Sequence, residues 1–442
     1  MDGRAAMGWK ATLAAAGVLA IGCGGLSDAR EPPRAALLRP APPAAEGFSP
    51  QTLAEMNAAM RGLVDKGAFP GVMTMLVRHG RVVDVQTYGK KNLATGAPIA
   101  RDTIFRMYSQ TKPVTGVAMM MLYEEGKWSL DDPVTKYVPE FADLKVFKAV
   151  GPNGEIQVEP VARPPTMREL MTHTAGFAYG LVIDNPIDKA YRDSGLLGSK
   201  SLHDMVVGVA KLPMADQPGV RWKYSVAVDI QGYIVEKLSG QSLADFMRNR
   251  IFGPLGMKDT GFYVPAGKQP RQAALYAFDP KRKVIAPATG FMVLDVTKPP
   301  TAASGGGGLV STAADYARFC QMLLNGGELG GARLLKPETV ALMRTNQLSE
   351  AVLAGPDGST PLGPGVGFGL DFAVVTDPAK AKTGAGRGTY SWGGAAGTWF
   401  WIDPENDLFF LGMIQVIGRP KTPDLTEFSQ GFVYRALVDP AR

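Results

Sequence analysis

Two cysteines and three histidines in 442 residues rule out several chemistries. Cys23 lies in a leader-like segment that processing would remove or acylate. Cys320 would then be the lone thiol, so a disulfide framework is excluded. His79, His173 and His203 lie far apart, and neither H-E-x-x-H nor a Cys/His cluster occurs, which argues against a catalytic metal. G-x-S-x-G is absent, which disfavours a Ser-His-Asp hydrolase with a nucleophile elbow. The net charge of +6 comes without a basic run, so nucleic acid is not an expected partner. Ser304-Gly305-Gly306-Gly307-Gly308 lacks the Gly-Lys-Ser/Thr of a phosphate cradle and reads as a flexible loop walling a cleft. No cofactor is implied, and there is no internal repeat.

What is present is a soluble globular composition, 45% hydrophobic and 20% charged, long enough to bury a large core. Arg4 and Lys10 precede an uncharged stretch from Ala11 to Ser27, shorter than the ~20 residues of a membrane span but suited to a secretory signal. Export, with a periplasmic or membrane-anchored product, is the expectation. Two processing routes stay open: cleavage after small residues at Ser27-Asp28-Ala29, or lipidation of Cys23 in Leu19-Ala20-Ile21-Gly22-Cys23, which would anchor the protein to a membrane. Residues 1–29 are thus read as signal, the Pro/Ala-rich 30–47 as an extended linker, and 48–442 as the folded domain.

Within that domain Ser49-Pro50 opens a helix whose inner face is Leu53, Met56, Met60, Leu63 and Val64. Gly71 to Arg78 and Arg81 to Tyr88 read as one hairpin, and Thr398 to Asp403 with Leu408 to Gln415 as another. Between them, 109–289 is mostly helical, with amphipathic runs at Thr166 to His173, Val228 to Leu238 and Ser242 to Arg250. Thr312-Ala313-Ala314-Asp315 caps a later helix that would hold Cys320. The expected class is α/β of the α+β kind: an antiparallel sheet from 48–108 and about 290–442, flanked by helices, with a helical lobe inserted.

Ser109-Gln110-Thr111-Lys112 stands where an extended segment becomes a helix with Val114, Val117, Ala118, Met121 and Leu122 on one face. Residues three apart on a helix share a face, so Lys112 can reach the Ser109 hydroxyl and serve as its base. A helix N-terminus also aims amides at a developing anion. Tyr224, in Pro218-Gly219-Val220-Arg221-Trp222-Lys223-Tyr224-Ser225, is a second candidate proton handler, because a nearby ammonium favours phenolate. His173 reads as a hydrogen-bonded core histidine.

Ser109-x-x-Lys112, Tyr224-Ser225 and Trp392-Gly393-Gly394, in that order, resemble the three motifs of the serine beta-lactamase-like esterases, the family VIII carboxylesterases related to class C beta-lactamases and penicillin-binding proteins. Leu170 to Gly176, Ile251 to Met257, Ser304 to Leu309 and Gly367 to Leu370 extend the likeness from Phe48 to the C-terminus. The resemblance implies the beta-lactamase/transpeptidase-like fold and an acyl-enzyme on Ser109, with Lys112 and Tyr224 sharing the acid and base roles. It further implies an oxyanion hole from the amides of Ser109 and of Ala395, the latter on an edge strand after Trp392-Gly393-Gly394, and a substrate pocket walled by those three residues. The expected activity is hydrolysis of a small-molecule, short-chain carboxylic ester. Beta-lactam or D-amino-acid amide hydrolysis and acyl transfer are the alternatives. Two departures matter: Val226 stands where lactamases carry asparagine, and Lys382-Thr383-Gly384 is read as a surface loop, not as the catalytic strand. Natural substrate and oligomeric state are left open.

Overall fold

The computed structural model describes residues 38–290, 292–355, 362–418 and 422–440. The expected signal and Cys23 lie outside them, as does the first part of the expected linker. These described residues form one compact unit.

Its centre is an eight-stranded sheet among the described residues: β1 (Arg39–Pro40), β2 (Gly71–Arg78), β3 (Arg81–Gly89), β4 (Val366–Phe368), β5 (Ala373–Val375), β6 (Tyr390–Gly393), β7 (Thr398–Asp403) and β8 (Leu408–Met413). The order is β1-β3-β2-β8-β7-β6-β5-β4, so the two expected hairpins meet where β2 pairs antiparallel with β8. β1 corrects the spacer reading for 38–47, the described part of the expected linker. Arg39 and Pro40 pair with Arg81 and Val82, because β3 would otherwise leave an unpaired sheet edge.

β2, β7 and β8 are buried on both faces, so successive side chains feed two cores. Phe400, Ile402, Phe409, Leu411 and Met413 pack with the helical side of the molecule. Trp399, Trp401 and Phe410 pack instead against helices α1 (Pro50–Asp65) and α6 (Leu425–Ala436), through Leu53, Met56, Leu425 and Val433. Ser49 caps α1 by accepting from the amide of Thr52.

On the helical side lie α2 (Lys112–Glu124), α3 (Met167–Met171), α4 (Ala227–Ser239) and α5 (Ala313–Leu324). α2 is apolar almost all round and is the central buried helix, which matches the residues read from its period. Thr166 and Glu169 form a reciprocal capping box on α3. Cys320 is buried in α5. No helix among the described residues is long and apolar enough to cross a membrane.

Candidate active site

Three elements converge on Ser109. Phe105–Arg106 pairs with Val310–Ser311; then Tyr108, at φ 46°, bends the chain into a 3₁₀ turn, Tyr108–Thr111, that runs into α2. A positive φ at a tyrosine is a strained conformation. The Tyr108 hydroxyl donates to the carbonyl of Met292 at 2.7 Å and helps hold it. Ser109, half-buried at the start of the helix, opens into the cleft.

Lys112 is buried one turn below. Its Nζ donates to Ser109 Oγ at 3.3 Å, to the Gly306 carbonyl at 2.7 Å and, at 3.5 Å, toward the Tyr179 hydroxyl. Lys112 Nζ also lies 4.5 Å from the centre of the Tyr224 ring and 5.0 Å from that of Tyr179. Lys112 therefore lies against both the predicted serine and the predicted tyrosine. Complete burial by itself would push the Lys112 ammonium down, but Tyr179, Tyr224 and Asp229 outweigh it and hold its pKa above the usual lysine range. Burial keeps the pKa of Tyr179 above the ordinary tyrosine range, against the opposing pull of the Lys112 charge.

The glycine run is not a flexible wall. Gly306 N–H donates to Asp229 Oδ1 at 3.0 Å, Ser304 Oγ donates to the same oxygen at 2.5 Å, and Thr115 Oγ1 donates to the Gly305 carbonyl at 2.8 Å. A Cβ on Gly306 would fall 2.4 Å from Asp229 Oδ2, so only glycine lets the loop lie against α4 and α2 and present its carbonyl to Lys112.

Tyr224 is held from behind. His173 Nδ1 accepts the Ser225 amide at 3.3 Å and sits 3.0 Å from Ser225 Oγ, and its ring packs 4.9 Å from that of Tyr224. Burial first, and then the Lys112 charge, lower the His173 pKa well below normal, so it is a neutral buttress. Trp222, Trp392 and Phe368 complete an aromatic surround, with centroids 6.2 and 5.6 Å from Tyr224 for the two tryptophans.

Trp392 and Gly393 lie on β6, but β6 is not an edge strand: Tyr390 and Ser391 pair with β5. The earlier expectation is corrected in a second respect, since Ala395 sits in the turn between β6 and β7. Pairing with β5 ends at Ser391, opposite Ala373, which leaves Trp392 to Ala395 open on the cleft side. Gly394 is pinned there by its own amide to the Thr398 carbonyl (2.7 Å), while Thr398 Oγ1 donates to the Met107 carbonyl at 3.2 Å. That packing brings the turn beside the segment carrying Ser109. Lys382-Thr383-Gly384 is a loop, as expected, with Lys382 left-handed at a helix end, although Thr383 reaches the cleft wall.

The cleft holds about 780 Å³ and is lined mainly by apolar and aromatic side chains, including Tyr108, Leu181, Leu197, Met292 and Leu294. Asp424 and Glu427 are its charged lining residues, and no Lys or Arg among the described residues lines it. Val226 is buried at the start of α4, where it cannot serve as a polar contact to substrate. Among the described residues, no three His, Cys, Asp or Glu side chains are grouped to hold a metal ion. Sequence reasoning missed Tyr179 and Asp229, since both lack a motif of their own.

The beta-lactamase family model matches residues 56–425. An uncharacterized protein of Mycobacterium tuberculosis is 39% identical over 400 residues, covering 86% of this chain and 98% of that one. Esterase EstB of Burkholderia gladioli is 31% identical over 367 residues, covering 78% and 86%. A solved structure, EstCE1, a hydrolase with promiscuous acyltransferase activity, superposes with a TM-score of 0.74 at 26% identity over 88% of this chain and 100% of its own. With the fold, the order of motifs and these matches in agreement, the chain belongs to the beta-lactamase family of serine hydrolases and their relatives.

Proposed function

We propose that the protein is a serine hydrolase that cleaves short-acyl carboxylic esters through an acyl-enzyme on Ser109. One observation carries this reading: Lys112 Nζ lies 3.3 Å from Ser109 Oγ and 4.5 Å from the Tyr224 ring centre, beneath an apolar cleft. The description of EstB as an esterase and of EstCE1 as a hydrolase supports it. The aromatic crowding of Trp222, Tyr224, Trp392 and Phe368 supports a compact acyl group.

Ser109 Oγ adds to the ester carbonyl as its proton passes to Tyr224. Lys112, which keeps its own proton, stabilises the phenolate that accepts it. The carbonyl oxygen becomes an oxyanion between the amides of Ser109 and Ala395. Collapse breaks the bond to the alcohol, which leaves with the proton returned by Tyr224. Water then attacks the acyl-enzyme and gives a proton to Tyr224; as the bond to Ser109 Oγ breaks, Tyr224 returns that proton to the serine and the carboxylic acid is released.

Beta-lactams and D-amino-acid peptides carry a carboxylate that favours a cationic anchor, and among the described residues no Lys or Arg lines the cleft, while Val226 is apolar and buried. Acyl transfer to an alcohol uses the same intermediate and differs only in what attacks it. The pattern of residues 1–29 supports export, with Cys23 as the anchoring residue in one route.

The test is hydrolysis of p-nitrophenyl acetate together with fluorophosphonate labelling. Both are expected in the wild type and lost in Ser109→Ala. Activity surviving in Ser109→Ala, or a chromogenic cephalosporin turned over as fast as the ester, refutes the reading.

A further inference from the structure

At the mouth of the cleft the chain turns four large apolar side chains toward water: Leu181 (44% exposed), Val182 (52%), Ile183 (79%) and Leu197 (48%). Their backbone is fixed from inside. The buried Asp188 carboxylate accepts the amides of Gly180 and Leu181 through Oδ1, at 2.8 and 3.0 Å. Arg192 donates through Nη1 to the carbonyls of Gly180 and Val182, at 2.9 and 2.8 Å, and through Nη2 to that of Ile183 at 3.0 Å. A Cβ on Gly180, at φ 90°, would meet the Arg192 side chain at 2.9 Å. Asp188 also holds Lys223 at 3.1 Å, and Lys223 is the residue before Tyr224, so this lip and the catalytic tyrosine share one anchor.

The polar groups of the turn are thus satisfied inward while its apolar groups face solvent, which is unfavourable unless something covers them. Leu181 and Leu197 belong to the cleft lining as well, so the exposed surface continues the apolar wall outward from Tyr179 and Trp222. The occupant that this continuity selects is one that already sits in the cleft. We infer that the lip binds an apolar alkyl or aryl group of the ester substrate that overhangs the cleft, so that the preferred substrates join a compact acyl group to a long apolar alcohol.

This inference rests on the ester reading above. It is tested with two series: acetates of ethyl, butyl and octyl alcohol, and p-nitrophenyl esters of two, four and eight carbons. In the wild type, kcat/KM is expected to climb with length in the alcohol series. In the double variant Val182→Ser, Ile183→Ser the octyl-to-ethyl ratio is expected to fall about tenfold, from the apolar contact removed. Retained fluorophosphonate labelling of Ser109 shows that the variant is folded. An unchanged ratio, or equal losses on short and long esters, overturns the inference. A length effect confined to the acyl series overturns its assignment to the alcohol. If the substitutions leave the ratio intact but abolish retention on phosphatidylglycerol vesicles or reduce self-association in sedimentation, the lip serves a membrane or a second copy and the inference is again overturned. Absence of any ester hydrolysis by the wild type would instead sink the ester reading.

Discussion

Gly394→Ala isolates the oxyanion hole without touching the nucleophile. A Cβ at Gly394 would stand 2.1 Å from the Met107 carbonyl oxygen and 2.5 Å from Thr398 Oγ1, whereas such contacts do not occur below 3.0 Å. Neither obstacle is a flexible chain end. Met107 O is backbone two residues before Ser109, and Thr398 Oγ1 is bonded to that same oxygen. Relief therefore separates the Ala395 turn from the Ser109 segment by on the order of 1 Å, a misplacement that can lower the rate about 100-fold. Losing one oxyanion donor costs on the order of 10²–10³ in kcat, so the two estimates agree. The assay is steady-state hydrolysis of p-nitrophenyl acetate with Tm measured alongside. The expected result is a kcat loss of about 100-fold with KM changed far less, because the ground-state carbonyl needs these donors less than the oxyanion does. Gly393→Ala is the control: its Cβ would come no nearer than 3.0 Å to the Thr398 carbonyl and 3.7 Å to Trp399, and a much smaller loss is expected. A Gly394→Ala enzyme within threefold of wild-type kcat would remove Ala395 from the mechanism.

Two further outcomes are expected. Asp229 raises the Lys112 pKa, after the two phenols, so Asp229→Asn lowers it and should move the alkaline limb of the kcat profile to lower pH; a limb that stays or rises contradicts a charged Lys112. Asp371 is fully buried and makes no ion pair among the described residues, its Oδ1 accepts from Gln231 Nε2 at 3.2 Å, and burial raises its pKa well above the carboxylate range. Because the folded-state value is raised, its stabilising contribution is complete below about pH 4 and is lost as pH rises from there toward the folded-state value. Asp371→Asn should therefore raise stability at pH 8 by about 1 kcal/mol or more, a gain that shrinks toward pH 4. Chemical denaturation at both pH values checks this, and destabilisation at pH 8 refutes it.

Local patterns were legible because their causes are local. The Ser49-Pro50 cap, the Thr312 cap and both hairpins follow from residues a few positions apart, and each appears where the sequence puts it. β1 was not legible, since Arg39 and Pro40 form a strand only because β3 offers them an edge. Nor was the rigidity of the glycine run: composition suggests freedom, but Asp229, Thr115 and Lys112 consume its backbone groups.

The same division runs through the candidate site. By itself the sequence determined that Ser109 and Lys112 share a helix face, since a spacing of three on a regular helix leaves no other geometry. It also determined the order of three motifs, and hence the family. Tertiary structure alone decided that the Tyr224 ring comes to 4.5 Å from Lys112, that Tyr179 and Asp229 join them, and that Ala395 lies in a turn instead of on a strand. Those contacts link segments separated by tens to hundreds of residues, and their distances are set by how α2, α4 and the sheet pack against one another.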